Sequence, residues 1–285
     1  MKLIDCHALR EEMLTRAKLE LTKIYAFTGK QLKLVVISVG DDPASQVYVR
    51  NKLKTCDSCG ILCDHVKLPE DSDYTNVAKA IYQAVYDEET TSVMLQLPLP
   101  KHLKEYERKL LNLIPFEKDA DGLSNASVGR LWNDEPCIAP ATAQGILELL
   151  DDDLTGLNIC TINRSKLVGQ PLIKLLMDRN ATVTVCHSKT ANLQEHIDNA
   201  DIIITAIGKP KYFKSGFKNE QMIIDVSINR DENGKLCGDV DPSCFEDVDC
   251  IITKVPGSIG LLTCSQLVLN LVKAYKLQNG ELYGN

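Results

Sequence analysis

The chain has 285 residues, of which 44% are hydrophobic, 25% charged and 5% aromatic. These values are typical of a globular protein, so collagen-like repeats and intrinsic disorder are excluded. The net charge of −7 argues against broad binding to nucleic-acid phosphates, although one local phosphate pocket stays possible. No apolar run reaches the roughly 18 residues that span a bilayer, and the first residues lack the apolar stretch of a signal peptide. We therefore expect a cytoplasmic or matrix-like protein with no membrane or nucleic-acid partner.

The 11 cysteines are an odd number and are scattered along the chain. Without a secretory context, this pattern indicates reduced thiols. Cys56 and Cys59 alone have the spacing of a metal-binding or redox pair, and Cys63 follows four residues later. No second pair completes a tetrahedral zinc shell, so we interpret these cysteines as structural thiols and expect no metal.

In the first half of the chain, helical periodicity alternates with short apolar runs. The predicted elements are helix 7–25, strand 32–39, helix 43–59, strand 61–68, helix 75–86 and strand 92–97. Residues 115–140 are rich in turn formers and predict a linker or a segment that lines a site, and a helix over 142–150 follows. Apolar runs of this kind indicate buried parallel strands with helical crossovers.

The second half begins a new alternating unit. The predicted elements are strand 157–162, helix 168–177, strand 181–186, helix 191–200, and strands 201–207, 222–226 and 249–253. This is the order of a doubly wound nucleotide-binding sheet. We predict two α/β domains, residues 1–140 and a Rossmann-type domain of residues 141–260. The helix predicted over 261–275 belongs to a C-terminal segment, 261–285, that is expected to pack back on the first domain.

The strand at 157–162 leads through a turn into a helix, a geometry that aims backbone amides and the helix dipole at a pyrophosphate. The usual G-x-G-x-x-G is absent, and Ser165 and Gly169 are the small residues of the turn. An ordinary strand–helix connection would explain this segment equally well.

The next strand, 181–186, sharpens the cofactor prediction. It ends in His187-Ser188-Lys189 and provides no acid to accept from a ribose 2′-hydroxyl. Arg164, Ser188 and Lys189 suit a 2′-phosphate, so NADP is favoured over NAD.

In the predicted helix 43–59, Ser45, Tyr48 and Lys52 stand at spacings of three and four residues. Those spacings place the three side chains on one helical face, which could also be an ordinary surface stripe. Gln96 lies at the carboxyl end of the third strand, where open α/β sheets bind ligands, and Asp121 adds a carboxylate in a turn. Together these residues favour a catalytic site.

Six ordered segments resemble the bifunctional methylenetetrahydrofolate dehydrogenase/cyclohydrolases. They are VGDDPASQVYVRNK at 39–52, QLPLP at 96–100, KDADG at 118–122, CHSKT at 186–190, GDV at 238–240 and VPG at 255–257. The resemblance covers nearly the whole chain, and it implies a folate site in a cleft between the two α/β domains. It also implies a homodimer.

The resemblance implies a role for each matching residue. Tyr48 would stack on the aminobenzoyl ring of the folate, and Asp121 would accept from the amino-pyrimidinone edge of the pterin. Lys52 would be the general acid/base, Gln96 would orient it, and Ser45 would support it. The further substrate-binding residues would be Leu97, Pro98, Pro256 and Gly257. The cofactor-binding residues would be Asn163, Arg164, Ser165, Gly169, Ser188 and Ile228.

The implied reaction oxidises 5,10-methylenetetrahydrofolate with NADP and hydrolyses the methenyl product to 10-formyltetrahydrofolate. This chemistry belongs to one-carbon metabolism, tetrahydrofolate interconversion and purine biosynthesis. Water can attack the methenyl cation once a base removes a proton from the water. A lysine serves as that base only when neutral, a form that burial and an adjacent cation favour.

Several residues depart from the family pattern. Asn163 and Ser227 replace glycines, and Asn163 would keep the cofactor turn if it takes a positive φ. Lys254 replaces a proline, and Ser258 and Leu261 stand in a loop that lacks the family's second glycine and later proline. Two alternatives therefore stay open. One is a monofunctional dehydrogenase that uses NADP or NAD, and the other is a folate-binding protein with an impaired cofactor site.

Overall fold

The computed structural model describes residues 2–245 and 248–282. The chain divides into two compact units. The three-stranded unit comprises Glu12–Ala141 and the residues from Cys264 on, and the six-stranded unit comprises the residues up to Glu11 together with Thr142–Thr263. The chain passes between the two units three times, and each passage lies inside a helix: α1 (His7–Thr28), α6 (Ala141–Leu147) and α9 (Ile259–Gln278). The predicted two-domain α/β fold is confirmed.

The three-stranded unit is built on a parallel sheet in the order β3-β2-β4. Its strands are β2 (Lys33–Val39), β3 (Leu62–Leu68) and β4 (Ser92–Leu95). Its further helices are α2 (Pro43–Asp57), α3 (Tyr74–Tyr86), α4 (Glu107–Leu111) and α5 (Asn125–Trp132), with a 3₁₀ turn at Lys101–Tyr106. The central strand, β2, is buried on both faces, which explains its unbroken apolar sequence.

Alternate residues of β2 point into two separate cores. Leu34 and Val36 join the core that includes Leu271 of α9. Val35 and Ile37 join the core formed with α3 and with the segment that follows β4. The central strand thus holds layers on both faces together, and its carboxyl end leads directly to α2.

The six-stranded unit is a parallel sheet in the order β1-β11-β8-β7-β5-β6. Its strands are β1 (Lys2–Ile4), β5 (Asn158–Ile162), β6 (Thr182–Cys186), β7 (Ile202–Thr205), β8 (Met222–Asp225) and β11 (Ile251–Thr253). A small hairpin pairs β9 (Asn229–Arg230) with β10 (Leu236–Cys237). The helices are α6 (Ala141–Leu147), α7 (Gly169–Asp178) and α8 (Leu193–Asp198), with a 3₁₀ turn at Pro242–Phe245.

The strand order places β6 on one side of β5 and β7 on the other. The connections therefore diverge at the carboxyl ends of β5 and β7. In a doubly wound sheet, this topological switch point is where ligands bind.

The N-terminal strand departs from the predicted domain boundaries. Residues 1–140 were expected to form one domain, but β1 pairs in parallel with β11, Lys2 opposite Ile251, and lies in the six-stranded unit. A three-residue strand carries no periodicity from which this long-range pairing could be predicted. The segment 115–140, expected to be a linker or a segment that lines a site, contains α5, a helix of 8 residues whose first turn is capped by Ser124.

No described helix combines the length and hydropathy that a membrane span requires. The longest, α1, carries charged residues along its length.

Asn270 of α9 fixes two loop segments of the three-stranded unit. Its side chain is fully buried. Its Nδ2 donates to the carbonyl oxygens of Ala120 at 3.0 Å and Ala139 at 3.1 Å, and its Oδ1 accepts from Gln266 at 3.1 Å. Because all of these groups are buried, removal of the amide leaves both carbonyls without their donor.

We expect Asn270→Ala to lower the thermal midpoint of unfolding measured by calorimetry. Each carbonyl left without a donor costs roughly 1–3 kcal/mol. The matched control is Asn279→Ala near the exposed end of α9, where the side chain donates to a solvent-accessible carbonyl. Equal midpoints for the two variants would show that Asn270 does not hold these segments.

Candidate functional site

Helix α2 presents Ser45, Tyr48 and Lys52. Its N-terminus is fixed by Asp42, whose carboxylate accepts from the backbone N–H of Ser45 at 2.7 Å, and by Pro43 in the first turn. Tyr48 is 40% exposed, whereas Lys52 is 8% exposed. The burial of the phenol raises the pKa of Tyr48. One helical face therefore carries a half-exposed ring beside a buried lysine.

The Lys52 ammonium lies against a carboxylate and a thioether. Its Nζ is 3.7 Å from Oδ2 of Asp121, and it donates to Sδ of Met94 at 3.2 Å. The side chains of Lys52 and Asp121 are 10% and 18% exposed, so water screens this ion pair less than it would at the surface. The structure thus brings together two predicted site residues that are 69 positions apart in the sequence.

Gln96 follows β4 directly and, by strand alternation, lies on the same face as Met94. Its Nε2 donates to the carbonyl of Leu97 at 2.5 Å. Its Oε1 is buried and has no hydrogen-bond partner among the described residues. The expected pairing of Gln96 with Lys52 is not made in this structure, because Lys52 reaches Met94 and Asp121 instead. The orphaned oxygen can accept a hydrogen bond from a bound molecule.

The Leu97–Pro98 peptide bond that follows Gln96 is cis. Leu97 is partly buried and Pro98 is exposed. Both belong to the predicted substrate-binding set, and they lie at the carboxyl edge of the three-stranded sheet.

The turn that carries Asp121 is held by its buried neighbour Asp119. Oδ2 of Asp119 accepts from the Ser124 backbone N–H and from the Ser127 hydroxyl, both at 2.7 Å. Burial raises the pKa of Asp119, while these hydrogen bonds oppose that rise. Gly122 has φ +62°, and a Cβ there would lie 2.4 Å from the Ile138 carbonyl oxygen. Asp119 was not among the predicted site residues, although the paired acids of KDADG are a visible signal.

In the six-stranded unit, the loop from β5 to α7 is organised by the side chains of Asn163 and Ser165. Oδ1 of Asn163 accepts from the Ser165 backbone N–H at 2.6 Å, and its Nδ2 donates to the Ala206 carbonyl. The Ser165 hydroxyl accepts from the backbone N–H groups of Val168 at 3.1 Å and Gly169 at 3.3 Å. Asn163 is not among the described residues with positive φ, so it does not keep this turn by a left-handed backbone conformation.

Gly169 allows α7 to begin close to this loop. A Cβ at Gly169 would lie 2.6 Å from the carbonyl oxygen of Asn163 and 2.8 Å from Cα of Arg164. Arg164, Ser165 and Ser188 are exposed at the carboxyl ends of the paired strands β5 and β6. No acid follows β6, so the donors present here fit an anionic group.

The remaining predicted site residues lie in the loops that follow β8 and β11. Ile228 is 38% exposed. The Val255–Pro256 peptide bond is cis, and Gly257 has φ +116°. The Ser258 hydroxyl donates to the Lys254 carbonyl at 2.7 Å. Two residues that depart from the family pattern are therefore hydrogen-bonded to each other across the loop 254–258.

The described cysteines are all free thiols. Cys56 lies in the core of the three-stranded unit, and hydrogen bonding with Cys63 raises the pKa of Cys56 and lowers that of Cys63. Among the described residues, no group of three or more His, Cys, Asp or Glu side chains could hold a metal ion.

Two family models cover most of the sequence. The catalytic domain of tetrahydrofolate dehydrogenase/cyclohydrolase matches residues 4–121, and its NAD(P)-binding domain matches residues 140–279. The chain belongs to the tetrahydrofolate dehydrogenase/cyclohydrolase family. The resemblance inferred from the six sequence segments is thereby confirmed.

Other members of the family match this chain along nearly its whole length. The bifunctional protein FolD of Lactococcus lactis subsp. cremoris is 41% identical over 278 residues, 96% of each chain. The crystal structure of the Campylobacter jejuni FolD has a TM-score of 0.90 at 35% identity and covers 98% of this chain and 99% of its own. The Trypanosoma brucei FolD, complexed with NADP cofactor and inhibitor, has a TM-score of 0.88 at 30% identity and covers 97% and 98%.

Asp225, at the end of β8, is a buried acid that the sequence analysis did not single out. It is 2% exposed and accepts from the backbone N–H groups of Val240 at 2.9 Å and Ser227 at 3.2 Å. Burial raises its pKa to about 6, and the neighbouring Asp239 carboxylate adds to the rise. The fold therefore favours the neutral form of this carboxyl.

We expect Asp225 to lower stability as the pH rises. Its pKa in the fold is above its ordinary value of 3.8, so its contribution is most favourable below about pH 4 and is lost as the pH passes about 6. The difference corresponds to roughly 3 kcal/mol. The thermal midpoint of the wild type, measured relative to Asp225→Asn, should fall across this window.

Asp87→Asn is the control for that measurement, because Lys33 and Thr90 lower the pKa of Asp87 to about 2, outside the window. A ¹³C NMR titration of the Asp225 carboxyl carbon provides an independent check. A midpoint near 3.8 or below would contradict the expected shift.

Proposed function

We propose that this protein oxidises 5,10-methylenetetrahydrofolate with NADP and then hydrolyses the methenyl product to 10-formyltetrahydrofolate. The observation that carries this proposal is the shielded Lys52–Asp121 pair, together with the orphaned buried oxygen of Gln96 at the end of β4. Membership of the tetrahydrofolate dehydrogenase/cyclohydrolase family supports the same two reactions. The L. lactis and C. jejuni relatives are both named as bifunctional.

In the proposed folate site, the half-exposed ring of Tyr48 stacks on the aminobenzoyl group. The Asp121 carboxylate accepts from the amino and ring N–H groups of the pterin, an acceptor pair that suits such a donor pair. Ser45 and Gln96 support Lys52 and the substrate. The further contacts proposed for the substrate are Leu97, Pro98, Pro256 and Gly257.

Hydride removal from the methylene carbon leaves a methenyl cation, and bound NADP supplies the hydride acceptor. In the second step, water adds to the methenyl carbon and gives up a proton. Lys52 in its neutral form takes that proton and leaves a carbinol. The Lys52 ammonium then returns the proton to N5 as the bond from the carbon to N5 breaks, and the hydroxyl proton leaves to water as the formyl C=O bond forms. Lys52 is buried and lies 3.7 Å from the Asp121 carboxylate, so its amine is held at a fixed place in the site for this proton transfer.

The proposed cofactor site lies at the switch point of the six-stranded sheet. The loop held by Asn163 and Ser165 and the start of α7 at Gly169 would receive the pyrophosphate. Arg164 and Ser188 would receive the 2′-phosphate, and Ile228 would contact the nicotinamide half. The T. brucei relative is complexed with NADP, which supports the choice of dinucleotide.

We expect Lys52→Met to lose cyclohydrolase activity, measured as the decay of methenyltetrahydrofolate absorbance. A positioned general base contributes about 10²- to 10⁴-fold, so the rate should fall by that order. Lys54→Met, two residues along and exposed on the same helix, is the matched control and should keep the rate. Full hydrolysis by Lys52→Met would remove this lysine from the mechanism.

The second expected outcome concerns the cofactor. Arg164→Ala should raise the KM for NADP roughly ten- to hundredfold, because a hydrogen bond to a charged group contributes about 1.5–3 kcal/mol. The KM for NAD, which has no 2′-phosphate, should change little. Lys79→Ala, which removes an exposed cation from α3, controls for net charge.

Two results would favour the alternatives. A higher kcat/KM with NAD than with NADP would indicate an NAD-using dehydrogenase. Titration calorimetry that detects folate binding without NADP binding would indicate a folate-binding protein with an impaired cofactor site.

We also propose a homodimer located in the cytoplasm. β3 forms one edge of its sheet, and no further strand pairs with it among the described residues, so it offers a surface for a second copy. The free thiols suit a reducing compartment. Sedimentation velocity would test the dimer, and cell fractionation would test the location.

A further inference from the structure

The GDV segment at 238–240 belongs to the family resemblance, yet none of the roles above uses it. Its aspartate, Asp239, is fully buried in the six-stranded unit. Its two oxygens accept six hydrogen bonds of 2.7–3.0 Å. The donors are the backbone N–H groups of Ile207, Gly208 and Lys209, the hydroxyls of Thr205 and Ser227, and the Asn229 side-chain amide.

These donors come from two loops at one edge of the sheet. Residues 205–209 comprise the last residue of β7 and the loop that follows it, and residues 227–229 follow β8, the strand paired in parallel with β7. Asp239 reaches both loops from the end of the β9–β10 hairpin. A single carboxylate therefore sets the shape of both loops at the carboxyl ends of neighbouring strands.

Gly238 lets the segment 238–240 lie close to the end of β8. A Cβ at Gly238 would lie 2.0 Å from Oδ2 of Asp225, at the end of β8. Asp225 in turn accepts from the Val240 backbone N–H at 2.9 Å. The segment 238–240 is thus fixed against β8 on both sides of Asp239.

Ser227 adds a second tie between the same loops. Its hydroxyl donates to Oδ2 of Asp239 at 2.8 Å and accepts from the Gly208 backbone N–H at 3.1 Å. A glycine, which the family pattern has at this position, makes neither bond.

The position of these loops relative to the switch point indicates what they hold. Arg164 and Ser188, proposed for the 2′-phosphate, lie at the ends of β5 and β6, on one side of that point. A dinucleotide that crosses the switch point must place its other half over β7 and β8. Ile228, proposed for that half, lies between two donors to Asp239.

We propose that Asp239 is a positioning residue for hydride transfer, and that Ser227 assists it. The carboxylate fixes the β7 and β8 loops in the shape that receives the nicotinamide half of NADP. This inference rests on the proposed function. It concerns the nicotinamide half alone, because no donor to Asp239 belongs to the loop that begins α7.

Asparagine at position 239 keeps the size of the side chain but replaces one acceptor oxygen with a donor. On the Oδ2 side, the Thr205 and Ser227 hydroxyls can rotate to accept, but the Ile207 N–H cannot. On the Oδ1 side, all three partners are N–H donors. Either orientation of Asn leaves at least one backbone donor unpaired and loosens a loop.

The test compares Asp239→Asn and Ser227→Ala with wild type, using NADP, 2′,5′-ADP and methenyltetrahydrofolate. 2′,5′-ADP carries the 2′-phosphate but no nicotinamide. For Asp239→Asn we expect roughly ten- to hundredfold weaker NADP binding and a lower hydride-transfer kcat, since a charged hydrogen-bond network is broken. The affinity for 2′,5′-ADP and the NADP-independent cyclohydrolase rate should stay within about twofold. Ser227→Ala should give a smaller change of the same kind.

A merely structural role would give a different pattern. Equal losses of NADP and 2′,5′-ADP binding, or unchanged dehydrogenase kinetics, would overturn the proposal. If Asp239→Asn does not fold, Ser227→Ala provides the test. Its affinity for NADP should then fall more than its affinity for 2′,5′-ADP, and equal changes in the two affinities would overturn the proposal. Wild-type protein that binds no NADP would instead contradict the proposed function, and this inference with it.

Discussion

Backbone N–H groups in loops at the carboxyl edge of a parallel sheet have no strand partner, and here buried carboxylates supply their acceptors. Asp119 holds the turn that carries Asp121 in the three-stranded unit, and Asp239 holds the loops after β7 and β8 in the six-stranded unit. Without these acceptors, several buried donors would each cost roughly 1–3 kcal/mol. The candidate site residues depend on loops that are fixed in this way.

The arrangement has an electrostatic cost. Burial raises the pKa of Asp119, and it raises that of Asp225, beside Asp239, to about 6. A buried carboxylate is tolerated only when enough hydrogen bonds compensate for its lost hydration. Asp225, at the end of β8, accepts only a few hydrogen bonds, which oppose the effect of burial on its pKa without cancelling it. Loop geometry is thus obtained at the expense of stability near neutral pH.

The parallel strands were predictable because strands buried on both faces leave unbroken apolar runs, as in β2. Tyr48 and Lys52 were predictable as a pair because helical spacing places them on one face. The contact between Lys52 and Asp121 was not, since it depends on how β4 and the following turn pack against α2. The role of Asp239 was hidden for the same reason, because its donors are spread over residues 205–229. Strands β1, β9 and β10 are too short to carry a periodic signal.

The departures from the family pattern follow a common physical logic. A glycine shapes a turn through its conformational freedom, and replacing it removes that freedom. Asn163 and Ser227 each replace a family glycine, and each directs its side chain to a neighbouring loop, Asn163 to Ala206 and Ser227 to Gly208. Both bonds end in the loop after β7, so that loop is tied to β5 on one side and to β8 on the other. Side-chain hydrogen bonds thereby replace glycine as the means of shaping the loops of the proposed dinucleotide site.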